Sequence, residues 1–98
     1  MVSVIWDMLL DETHRDEGLG IVRTIWEDMK GFEGYIKHNI LIDDDNPNHI
    51  SIISDWSKRE LADHSVATYA NSEPVRLLAP LLAGPRKRFV FRQDVTDE

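Results

Sequence analysis

Residues 50–64 read ISIISDWSKRELADH, an apolar–polar alternation running straight into a helix start, and they constrain the fold more than any other stretch. Successive strand side chains point to opposite faces, so Ile50, Ile52, Ser54 and Trp56 share one side. Ser57 stands where an N-cap belongs, and Glu60 three residues on completes a capping box that satisfies two orphan amides. On the helix that follows, spacing by three and four puts Leu61, His64 and Ser65 on one stripe. Trp56 and His64 are therefore both expected to face the gap between sheet and helix. That gap is where a ligand is expected to sit.

The rest of the chain arranges itself around this unit. Residues 2–10 are rich in β-branched and aromatic side chains and read as a first strand buried on both faces. Thr13 and Asp16 offer a helix start, after which Leu19, Val22, Ile25, Trp26 and Met29 recur at three and four as far as Gly31. A second strand over 35–43 sets Ile36, His38, Ile40 and Ile42 on one face and Tyr35, Lys37, Asn39 and Leu41 on the other. The run DDDNPN is dense in turn formers and joins it, as a hairpin, to a third strand over 49–56. A second helix is expected over 58–69. Ser72, Glu73 and Pro74 begin a short third helix, which Pro80 kinks or ends. After Gly84 and Pro85, residues 86–93 (RKRFVFRQ) form the last strand, and DVTDE is an acidic tail expected to fray. The organisation expected is one domain over residues 1–93 with the tail at 94–98.

The order β-α-β-β-α-(α)-β is the split βαβ pattern of ferredoxin-like α+β folds, a four-stranded antiparallel sheet with helices on one face. The opposite face would carry Ile5, Leu9, Tyr35, Leu41 and Ile53, with either Phe89 and Phe91 or Val90. An apolar patch of that extent marks an interaction site, and a second copy of the same sheet is its natural cover. A homodimer through the sheet face is expected, giving a dimeric α+β barrel.

Composition removes several classes of function. A net charge of −7 over 98 residues argues against nucleic acid, whose phosphates most of this surface would repel. The absence of cysteine removes disulfides, thiolate metal sites and cysteine nucleophiles together. No apolar run approaches the ~20 residues of a membrane span, so no membrane partner is expected. The apolar start MVSVIWDMLL lacks the basic residues and cleavage site of a leader, and a cytoplasmic protein is expected. Asp43, Asp44 and Asp45 lack the glycine and the closing glutamate of a calcium loop. His14, His38, His49 and His64 show no metal-ligand spacing, so no metal is expected. Gly18 and Gly20 alone do not make a phosphate loop, and no serine lies in a GxSxG context.

The GFEGY turn, the D-x-P hairpin, the strand ending in Trp56-Ser57, Glu60 and His64 on the next helix, and the closing RFVF strand together resemble the antibiotic biosynthesis monooxygenase (ABM) family. The resemblance covers nearly the whole chain and lies in the order of these features. It implies a homodimer with a pocket between sheet and helices, in which some members oxygenate phenols or quinols without flavin or metal. The activity it implies is a cofactor-independent monooxygenase taking a small aromatic phenol or quinol and dioxygen. Other members degrade haem using an Asn on the first strand, and VSVIWDMLL has none. A non-catalytic small-ligand-binding dimer is a further reading, because fold alone does not choose among functions.

Candidate site residues follow. His64 is the candidate general base, since imidazole changes protonation near neutral pH. The plainer reading is a half-buried histidine bonded to backbone. Trp56 would hold an aromatic ring, or else is a core indole whose N–H is satisfied inside the fold. His38, Trp6 and Tyr69 are candidate substrate-binding residues, or simply core. Arg86, Lys87 and Arg88 could steady a phenolate, or be solvated or paired with acids.

Overall fold

The computed structural model describes residues 1–97 of the chain. Its elements are β1 (Val2–Leu9), a 3-10 turn (Glu12–His14), α1 (Arg15–Met29), β2 (Tyr35–Ile42), β3 (His49–Trp56), α2 (Arg59–Tyr69), α3 (Glu73–Leu78), a second 3-10 turn (Ala79–Leu81) and β4 (Lys87–Arg92). The four strands form one antiparallel sheet in the order β2-β3-β1-β4, and the fold is the ferredoxin-like α+β arrangement. Residues 94–97 carry no regular secondary structure, and Glu98 of the acidic tail lies outside the described residues.

The core forms where the inner sheet face meets the apolar stripes of the helices. Val4, Met8, Ile50, Ile52 and Trp56 are buried from the sheet side. Leu19, Val22, Ile25, Trp26 and Met29 meet them from α1, the same stripe that the spacing picks out. Leu78 adds a contact from α3, where Pro80 ends the helix in a 3-10 turn. β1 departs from the reading of a strand buried on both faces. Its even positions Val2, Val4 and Met8 are buried, whereas Ser3, Ile5 and Asp7 are half-exposed, so helices cover one face only.

Two local departures change which side chains face the core. Between Tyr35 and Lys37 the β2–β3 register slips, Tyr35 opposing Trp56 and Lys37 opposing Asp55. Ile36 is the extra residue of this bulge, so Tyr35 and His38 lie on one face together with Ile40. Tyr35 therefore packs inward, edge-on to Trp56 with ring centroids 5.8 Å apart, rather than on the outer face. Ahead of the bulge Gly34 holds φ +89, and a Cβ there would stand 2.7 Å from Leu61 Cδ1. Only glycine fits both the dihedral and the approach of α2.

The start of α2 is the second departure. Ser57 makes no capping box, because its N–H donates to Gly34 O at 2.9 Å and the helix begins two residues later with Lys58 as N-cap. The inward stripe of α2 is consequently Ala62, Ser65, Val66 and Tyr69. His64 lies roughly 200° round the helix from Ala62 and is exposed.

Candidate functional site

The inner sheet face and the three helices do not close completely on each other. They leave a cavity of about 130 Å3. Trp6 and Trp56 form its sheet wall, Val22 and Trp26 its α1 wall, and Tyr69 and Leu78 close it from α2 and α3. That volume is smaller than the several hundred Å3 of a typical ligand pocket. It approaches the roughly 150 Å3 in which an apolar cavity accommodates a single benzene ring.

Trp56 is 2% exposed and its polar handle is spent inside the fold. The indole Nε1–H donates to Ser54 Oγ at 3.0 Å, and Ser54 Oγ donates onward to Val4 O at 3.4 Å. Trp56 thus offers a ligand an aromatic wall and no hydrogen bond. Trp6 also faces the cavity, and the guanidinium carbons of Arg86 and Arg88 lie 5.9 and 5.8 Å from its ring centroid.

Tyr69 lines the cavity and donates its hydroxyl hydrogen to Asp28 Oδ2 on α1. Burial and this neighbouring carboxylate push the phenol up to about 12, so Tyr69 stays protonated at neutral pH. A protonated phenol that already donates to a carboxylate can accept a second proton while passing on its own. Asp28 is the partner that sequence reasoning missed. It lies 41 residues from Tyr69 on the polar flank of α1, and no periodicity links the two.

His38 and His64 are not brought to the cavity. His38 is half-buried behind Trp26, with ring centroids 5.4 Å apart, and its Nδ1 lies 2.5 Å from the Tyr35 hydroxyl. Burial, then Lys30, holds its pKa below the usual 6.5, so at neutral pH the uncharged ring accepts that hydrogen bond. His64 corrects the expectation that it faces the gap. It points to solvent, where Nε2 lies 3.4 Å from Thr68 Oγ1, because the later helix start rotates the inward stripe onto its neighbours.

At the rim, strand alternation sends Arg86 and Arg88 toward the cavity and Lys87 away from it. Arg88 Nη2 donates to Asp63 Oδ1 at 2.8 Å, and this guanidinium holds the Asp63 carboxyl below its usual range. Arg88 Nε is buried and has no partner among the described residues. Among the described residues no group of three or more His, Cys, Asp or Glu is placed to hold a metal ion. Nor is any helix long and apolar enough to cross a membrane.

No family model and no curated protein matches this chain. Solved structures do. An antibiotic biosynthesis monooxygenase matches with TM-score 0.86 at 19% identity, over 97% of this chain and 100% of its own. SnoaB, a cofactor-independent oxygenase from Streptomyces nogalater, matches with TM-score 0.84 at 14% identity over 97% and 94% of the two chains. Rv0793 from Mycobacterium tuberculosis matches with TM-score 0.85 at 12% identity, covering 99% and 98%. Across its whole length, this chain has the fold of the antibiotic biosynthesis monooxygenases.

Proposed function

We propose that the chain is a cofactor-independent monooxygenase acting on a small phenol or quinol. The observation that carries this reading is the apolar cavity lined by Tyr69, whose hydroxyl donates to Asp28. The fold shared with an oxygenase that needs no cofactor supports it. A phenol gives up electrons to dioxygen far more readily once deprotonated, so the protein must accept one proton and then tolerate an anion. The substrate hydroxyl passes its proton to Tyr69 Oη as the Tyr69 proton moves to Asp28 Oδ2. Arg88, whose guanidinium stands at the rim, offsets the phenolate charge. Trp6 and Trp56 hold the ring and exclude water from the reactive species. One oxygen atom enters the ring and the other leaves as water. All four electrons come from the substrate, as a phenol becomes a quinone.

The proposed working form is a homodimer through the sheet face that the helices leave uncovered. Phe89, Ile5, Ile53 and Asn39 face one another in register across all four strands. Phe91, Leu9 and Leu41 extend this apolar row and are exposed in the single chain. The reaction is tested by following oxygen uptake with purified, metal-stripped protein and a panel of single-ring phenols and quinols. Uptake above the protein-free blank with at least one of them is expected. Rates at the blank across the whole panel would remove the enzymatic reading.

A non-catalytic ligand-binding dimer is the second reading, and the small volume of the cavity favours it. In that case the same panel gives binding without uptake.

A further inference from the structure

The cavity is walled almost wholly by apolar side chains, yet the chain that builds it carries a net charge of −7. Among the described residues that line it, only Arg86 and Arg88 are charged, and both are cationic. Both guanidinium groups lie against one face of the site, the Trp6 ring, at 5.9 and 5.8 Å. Surface arginines usually find acids or water. Here Arg88 is 23% exposed and gives Nη2 to Asp63, while its Nε–H is shut from water and has no acceptor among the described residues. A buried donor without an acceptor costs roughly 1–3 kcal/mol. The guanidinium groups that line the cavity gain most from an anionic oxygen.

Volume sets the other limit. About 130 Å3 leaves room for one six-membered ring and not for a fused system. We infer that the ligand is a single-ring aromatic carboxylate, its ring between Trp6 and Trp56 and its carboxylate at the rim beside the Arg88 and Arg86 guanidinium groups. This deepens the proposed function and rests on it for the fate of the ring. The ring would be a hydroxybenzoate, with its hydroxyl toward Tyr69. The anchoring carboxylate is separate from that chemistry and is testable without turnover.

Asp63 gives the inference a second handle. It holds the same guanidinium from α2, and Arg59 Nε reaches it from the helix side at 3.4 Å. Asp63 therefore competes with any anion for Arg88. Asp63→Asn removes the competing charge and keeps the cation, whereas Arg88→Gln removes the cation.

The experiment is calorimetric titration of 4-hydroxybenzoate, 4-methylphenol and 6-hydroxy-2-naphthoate into wild-type, R88Q and D63N protein, each first checked for a cooperative thermal transition. Wild type is expected to bind 4-hydroxybenzoate about ten-fold or more tightly than 4-methylphenol, the worth of one charged hydrogen bond. It should bind the naphthoate more weakly than either. R88Q should bring the two single-ring affinities together, and D63N should keep or widen the gap. Equal binding of acid and cresol by wild type, tighter binding of the naphthoate, no binding of any probe, or a D63N variant that loses the preference would each overturn the inference. If R88Q does not fold, the D63N result decides. Oxygen uptake with 2,5-dihydroxybenzoate then separates the two claims. Acid preference without uptake removes the oxygenase reading and leaves the ligand class. Uptake with neutral quinols and no acid preference does the reverse.

Discussion

The Nε2 of His49 lies 2.9 Å from both carboxylate oxygens of Asp7, a residue 42 positions away on the neighbouring strand. On its other side, Nδ1 lies 2.8 Å from Asp43 Oδ2 at the end of β2, and Ser51 Oγ donates to Asp7 Oδ2 at 2.8 Å. An imidazole can donate from both nitrogens only when protonated. The neutral ring must give up one of these two acids. Asp43, then Asp7, accordingly raises the pKa of His49 above its ordinary 6.5.

The pH dependence follows from the signs. The raised His49 contributes stability that is complete below pH 6.5 and is lost as pH rises through its folded value. Burial alone would raise Asp7, but hydrogen bonds from His49 and Ser51 and the charges of His49 and Lys87 hold it below 3.8. Hydrogen bonds from His49 and the Asp45 amide do the same for Asp43. Their contribution is complete above pH 3.8 and is lost as pH falls through their lowered values. The cluster is therefore at full strength between pH 3.8 and 6.5. Thermal melts of wild type and His49→Gln are expected to differ most in that window and to converge above it. A difference that grows as pH rises beyond neutrality would contradict the sign.

Ser54 is the buried link between Val4 O and the Trp56 indole. Ser54→Ala leaves the indole N–H without an acceptor in a place where water does not reach. A loss of about 1–3 kcal/mol in urea unfolding is expected. The slope of the transition should not change, because the folded surface is the same. A loss below about 0.5 kcal/mol would mean that the indole had found another acceptor.

Tyr69 and His64 make opposite predictions for turnover. Tyr69→Phe and Asp28→Asn each interrupt the proposed relay and should lower oxygen uptake by about 100-fold. Binding of the same phenol should change far less. His64→Ala should leave uptake within about two-fold, since this side chain points to solvent, where it lies against Thr68. A 100-fold loss in H64A with Tyr69→Phe unaffected would move the proton acceptor to the other side of α2.

These residues also mark where sequence was a good guide. Period-two alternation placed Ile50, Ile52, Ser54 and Trp56 correctly, because β3 is a central strand with no irregularity against β1. The α1 stripe was legible for the same reason, five apolar residues at helical spacing buried against one sheet face. β2 was not legible in its first turn. A one-residue bulge reverses every alternation before it, and only the pairing with β3 reveals that Tyr35 joins His38. On α2 the capping-box pattern misled. The Ser57 amide is taken by Gly34 O, a contact from 23 residues upstream that moves the helix start and turns His64 outward. Trp6 and Tyr69 do line the cavity, but the acid bonded to Tyr69 and the burial of Arg88 Nε are products of tertiary packing.

The outer sheet face supplies the last prediction. Ile53 is half-buried in the single chain, between Ile5 on β1 and Asn39 on β2. Phe89 and Phe91 stack at the β4 edge with centroids 6.5 Å apart, and both are exposed. Fully covering one such side chain contributes about 1.5–3 kcal/mol. Association costs about 4–15 kcal/mol. Several of these residues must therefore be covered at once, which a second identical sheet does and a small ligand does not. In the proposed dimer Ile53→Asp would bring two carboxylates into the sheet–sheet contact, beside the Asp7 and Asp55 charges already on that face. The wild type is expected to sediment at micromolar concentration with twice the 11.3 kDa of one chain. The I53D variant should sediment as a single chain and keep its far-ultraviolet dichroism, because Ile53 contributes little to the helix-side core. A wild-type species of 11.3 kDa would leave the sheet face without its proposed partner.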